Sequence, residues 1–127
     1  MNKKKLIEKF EYWKKQLRME DVDIEFIPKC KIKDMPEGYS SVLGLTVNFE
    51  VNKSSIIRIK DPKEEPNFKI NEEQVLIHEL LHSKFDLLHK EHSSMEYRLL
   101  HQIIEDLSCA LWSSNNKIDI KDRIKYS

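Results

Sequence analysis

Gln74-Val75-Leu76-Ile77-His78-Glu79-Leu80-Leu81-His82-Ser83 holds a His-Glu-x-x-His pattern inside an apolar run, and the rest of the chain is best read outward from it. On an α-helix, residues four apart lie about 40° apart around the axis and one turn along it. His78 and His82 can therefore point both imidazoles at one metal ion. Glu79 is turned by about 100°. It can stand beside that ion without ligating it, which suits a base that takes a proton from water.

Composition alone would produce this pattern in roughly one or two such chains per hundred, so its surroundings must carry weight. Val75, Leu76, Ile77, Leu80, Leu81 and Phe85 flank the motif, and they imply a helix that is mostly buried. Burying two histidines and a glutamate there needs a reason, because unpaired buried polar groups are costly. The bland alternative is a pair of core histidines satisfied by hydrogen bonds, with the glutamate at the surface.

Asn71 is a good N-cap for this helix. Glu72 and Glu73 follow in the first turn, where acids favour the helix dipole, and Gln74 stands where a capping box needs it. The helix is expected to run to about His89. The polar segment 90–94 breaks it, and Ser93 with Glu96 forms a second capping box. A second helix then continues to about Trp112, with Leu100, Ile103, Ile104, Leu107 and Leu111 as its apolar stripe. Residues 113–127 are polar, with a weak Ile118/Ile120/Ile124 pattern.

Upstream, residues 3–18 read as a helix with Leu6, Phe10, Trp13 and Leu17 on one face. The short Asn2-Lys3-Lys4-Lys5 run reads as its solvated end. Residues 22–27 alternate as a half-buried strand that Pro28 ends. Residues 29–38 are a loop. Residues 39–51 make a strand, bulged at Gly44. Asn52-Lys53-Ser54 is a turn, and residues 55–60 return as the second arm of a hairpin, with Ile57 and Ile59 on one face. Residues 61–67 are a loop with two prolines. The class is α+β: an N-terminal helix, a small mostly antiparallel sheet, then two helices.

A chain of 127 residues suits one domain and one core. Lys plus Arg equals Asp plus Glu, at 22 each, so the formal net charge is zero. That balance argues against nucleic acid or a membrane surface as the main partner. Cys30 and Cys109 form no C-x-x-C pair and no disulfide framework. Cys30 falls in a charged segment that reads as exposed, whereas Cys109 reads as a small core residue. No signal-peptide pattern and no span-length apolar run occurs, so a cytoplasmic protein is expected.

Two histidines do not complete a catalytic zinc site, which uses three protein ligands and an open position. The helix 94–112 follows after a short connection, so it should pack antiparallel to the motif helix and supply the third. The candidates on it are Glu96, His101, Glu105 and Asp106. Glu105 leads, because it borders the buried stripe between Ile104 and Leu107. His101, one turn earlier, is a ligand, a group behind the ligands or a transition-state donor. Asp106 can fix a ligand histidine's tautomer, and Tyr97 is a second transition-state donor. His89 and His92 read as surface residues.

His78-Glu79-Leu80-Leu81-His82, followed by a helix with Ile103-Ile104-Glu105-Asp106-Leu107, resembles the minimal gluzincin metallopeptidases. The nearest group is the ImmA/IrrE-like and phage-encoded minigluzincin proteins. The resemblance covers roughly residues 40–112. It implies a zincin-like fold, Zn2+ held by His78, His82 and Glu105, and Glu79 as general base. Ser108-Cys109-Ala110-Leu111 fits the small-residue stretch that follows the ligand glutamate in that group. It further implies a protein or peptide substrate, such as a repressor-type regulator encoded on a phage or mobile element. An edge strand just before the motif helix, here residues 56–59, would pair with extended substrate. Larger gluzincins carry an Asp four residues after the ligand glutamate, and Cys109 stands there instead. The third metzincin ligand, His-x-x-Gly-x-x-His, is absent after His82. The competing expectation is a zinc-binding regulatory or structural module with little or no hydrolysis. Glu79 argues against it, since a structural zinc site needs no acid beside the metal.

Overall fold

The computed structural model describes residues 1–49, 51–86 and 94–116. The chain runs α1 (Lys3–Gln16), β1 (Asp23–Cys30), β2 (Gly44–Phe49), β3 (Ser54–Lys60), α2 (Glu72–Asp86) and α3 (Ser94–Asn115). This is the α+β order expected, with the N-terminal helix first. The sheet order is β1-β3-β2. The β2–β3 hairpin is antiparallel, whereas β1 joins β3 in parallel, so the sheet is mixed. None of the described helices is long and apolar enough to cross a membrane.

Helix α1 starts where Asn2 caps it, accepting from the Lys5 N–H at 2.7 Å. Its stripe is buried at Leu6, Phe10 and Trp13. Phe10 stacks on Phe26 of β1 with ring centroids 4.6 Å apart. Ile57 and Ile59 of β3 have no exposed surface and meet Leu6, Leu76, Leu80 and Ile104 in one core. Each such side chain contributes about 1.5–3 kcal/mol by leaving water. Helices α1 and α2 thus share the inner face of the sheet, and α3 closes over α2.

Several expectations need correcting. Pro28 does not end β1, which continues to Cys30. The missing N–H is tolerated because β1 is an edge strand and its register slips between Ile27 and Cys30. Cys30 is buried, not exposed, and burial pushes its thiol above the ordinary range against the pull of Arg58. Cys109 is half-buried, and both cysteines are free. Strand β2 is shorter than expected and begins at Gly44 instead of bulging there. Strand β3 is hydrogen-bonded on both sides, so residues 56–59 offer no free edge. The free edge beside α2 belongs to β2.

Lys60 is the least anticipated core residue. No part of it is exposed. Its Nζ donates to Glu65 Oε1 at 2.9 Å and to the Ser40 carbonyl, tying two loops to the end of β3. The second capping box at Ser93, the histidines His89 and His92, and the tail 117–127 lie outside the described residues.

Candidate metal centre

Helix α2 is capped as expected, with Asn71 Oδ1 accepting from the Gln74 N–H at 3.1 Å. Leu76, Ile77 and Leu80 are fully buried and Leu81 nearly so. Most of its circumference is therefore committed to the core. The remaining strip carries His78, Glu79 and His82, and it floors a cleft of about 440 Å³ walled by β2 and α3. The cleft is placed by packing: β2 and α3 lie on either side of α2, and the motif turn is left between them.

His78 Nε2 and His82 Nε2 lie 3.2 Å apart. Two nitrogens sharing a tetrahedral ion at zinc–nitrogen bond lengths of about 2.0–2.1 Å would sit roughly 3.3 Å apart. His101 enters from α3, its ring centroid 5.1 Å from that of His78 and 5.2 Å from that of His82. One ring nitrogen from each of the three histidines falls within 4.8 Å of the other two. Three nitrogen donors converging at the floor of a cleft fit a zinc ion with an open fourth position.

Glu105 stands one turn beyond His101 on α3. Its Oε2 lies 2.7 Å from Nδ1 of His78, the ring nitrogen not directed at His82. That hydrogen bond holds the Glu105 carboxyl below the usual carboxylate range. Partial burial opposes the shift, and the nearby imidazoles reinforce it. So α3 supplies both groups that the sequence leaves in competition, in different places. His101 shares the nitrogen cluster, and Glu105 backs His78.

Glu79 is 6% exposed, yet it lines the cleft. The Thr46 hydroxyl reaches its Oε1 at 2.8 Å and its backbone carbonyl at 3.0 Å, and one proton serves either acceptor. Gly44 makes this seat available. A Cβ there would stand 2.8 Å from Val75 Cγ1, 2.9 Å from Glu79 Cγ and 3.1 Å from Glu79 Oε2. The sequence marks Gly44 only as a bulge within a strand, and it does not mark Thr46. The only signal is a glycine inside a strand pattern, which also marks close approach by another element.

Tyr97 lines the cleft, with its ring centroid 6.3 Å from that of His101. Glu96 and Asp106 are exposed and do not line it. Asp106 is thus not brought to the histidines. No family model matches this chain, and the comparisons with curated proteins and with solved structures returned no match either, so the geometry of this centre carries the functional reading.

Proposed function

We propose that this protein is a zinc-dependent metallopeptidase with His78, His82 and His101 as its metal ligands. The carrying observation is the convergence of three imidazole nitrogens on the cleft floor beside a buried glutamate. In this reading Glu105 accepts from Nδ1–H of His78 and so directs Nε2 into the centre. That is the carboxylate–histidine arrangement that orients metal ligands. It departs from the role that the gluzincin resemblance implies for Glu105, and the 2.7 Å contact with His78 is the reason.

A bound zinc would lower the pKa of water and polarise a carbonyl. Glu79 takes the proton from the attacking water and returns it to the leaving amine. Thr46 holds one carboxylate oxygen of Glu79 and limits its rotamers. Tyr97, at the cleft wall with its ring 6.3 Å from that of His101, is a side-chain donor for the developing oxyanion. The outer edge of β2 offers backbone N–H and C=O groups to an extended peptide. The substrate class is a peptide or protein. A repressor-type regulator as the target rests on the family resemblance alone. A reducing, cytoplasmic setting is in keeping with two free cysteines, one of them buried.

Elemental analysis of wild type, His101→Ala and Glu105→Ala, purified without added zinc, tests the centre. About one zinc per wild-type chain is expected, lost with His101 and retained at weaker affinity without Glu105. Zinc lost only with Glu105 would return that residue to the ligand set. A zinc-loaded protein that cleaves no peptide would favour the non-hydrolytic binding module.

A further inference from the structure

The opposite side of α3 carries an apolar ridge that no described element covers. Met95, Leu99, Ile103 and Leu107 are 69%, 52%, 51% and 38% exposed. They are four residues apart, so they form one continuous i, i+4 row drifting about 40° per step. Tyr97, His101, Glu105 and Ser108 point to the cleft, and Leu100 and Ile104 point to the core. The ridge therefore belongs to neither. A contiguous apolar row on a surface of otherwise balanced charge marks an interaction site.

A parallel row, Arg98, Gln102 and Asp106, flanks the ridge on its solvent side. All three are exposed. No ion pair among the described residues engages Arg98 or Asp106. The order along the helix is cation, amide, anion. Under a two-fold axis near Gln102, that row is its own complement: Arg98 meets the second copy's Asp106, Gln102 meets Gln102, and Asp106 meets Arg98. The same axis, within about half a turn, layers Met95 on the second copy's Leu107 and Leu99 on its Ile103.

We propose that α3 is the face of a homodimer, with two copies packed antiparallel along this ridge. A two-fold interface uses one patch twice and must be self-complementary, and both the apolar and the charged rows meet that condition. The cleft opens on the other side of α3, so both centres stay accessible. A ridge of four side chains per copy is smaller than a standard interface of roughly 1,200–2,000 Å², and the dimer is reversible. This inference does not depend on the metallopeptidase reading.

Sedimentation equilibrium of the full chain from about 1 µM to 1 mM covers the range of such affinities. A concentration-dependent dimer is expected for wild type. Ile103→Asp should abolish it while helicity and zinc content stay as in wild type, which separates loss of the interface from loss of the fold. Arg98→Asp should weaken it about tenfold through two like-charge contacts, and Arg98→Asp with Asp106→Arg should restore it. A wild type that stays monomeric overturns the proposal and leaves the ridge to a different partner. A dimer indifferent to Ile103→Asp, or one that the double reversal fails to restore, also overturns it.

Discussion

Helix α2 buries acidic side chains at two places, its first turn and its third, and the two are built for different ends. Glu73, 3% exposed, accepts from Trp13 Nε1 at 2.8 Å, and Lys9 Nζ stands 3.4 Å from the same oxygen. Glu72, 5% exposed, is paired with Lys29 at 2.8 Å and with the N-terminal amine at 3.3 Å. These carboxylates are neutralised by donors from α1, β1 and the chain terminus. Two turns on, Glu79 has about the same burial but lines an open cleft beside three histidines. Burial of a charged residue is therefore no mark of a site in itself. What separates the two ends is what the carboxylates face: cationic and indole donors of the chain at the first turn, and the Thr46 hydroxyl together with a cleft at the third.

Four substitutions would break or sharpen that contrast. The largest effect is expected at Glu79→Gln, which should lower peptide hydrolysis by about 10²–10⁴-fold, the scale of general acid–base catalysis. Zinc stoichiometry should be unchanged. Hydrolysis as fast as wild type in a zinc-loaded Glu79→Gln protein would end the mechanism. Next comes Glu105→Gln, which should weaken zinc binding by about 10–100-fold through the His78 contact. Competition with a chelator of known affinity measures it, and a complete loss of zinc would make Glu105 a ligand.

At the structural end, Glu73→Ala should cost about 1–3 kcal/mol of stability by stranding the Trp13 and Lys9 donors. Urea unfolding of the zinc-free protein reads this directly, and zinc affinity should not change. An altered affinity would show that the two ends of α2 are coupled. The smallest change in stability is expected from Gly44→Ala, about 1 kcal/mol or somewhat more of overpacking. Its new methyl group would push on Glu79 and Val75. Activity should fall further than stability does, with zinc retained; unaltered turnover would show that the Glu79 seat is not critical.

The helices and their apolar faces were legible because period-3.6 patterning is local. Leu6, Phe10 and Trp13 are buried as their spacing predicts, and Asn71 caps α2 as its side chain predicts. The β2–β3 hairpin was legible from its turn and alternation, and it forms as an antiparallel pair; the place of β1 was not legible. Nothing local shows that β1 pairs in parallel with β3, or that β2 therefore becomes the edge beside the cleft. Cys30 reads as exposed, and nothing in the sequence marks Lys60 as a core residue, because their partners lie in other segments. Ser40 and Glu65 close over Lys60, and burial of Cys30 follows from the continuation of β1 past Pro28.

The chemistry of the site shows the same division. Spacing of four along one helix put His78 and His82 on a common face, and one step of about 100° put Glu79 beside them. Those are properties of a single helix, and they needed nothing but the residues. The choice between His101 and Glu105 was different. The two residues are one turn apart on the same side of α3, so periodicity treats them alike. The rotation and height at which α3 packs on α2 bring His101 to the imidazole nitrogens and Glu105 to the back of His78. Contacts between helices are fixed by packing of the whole core, which no local pattern encodes.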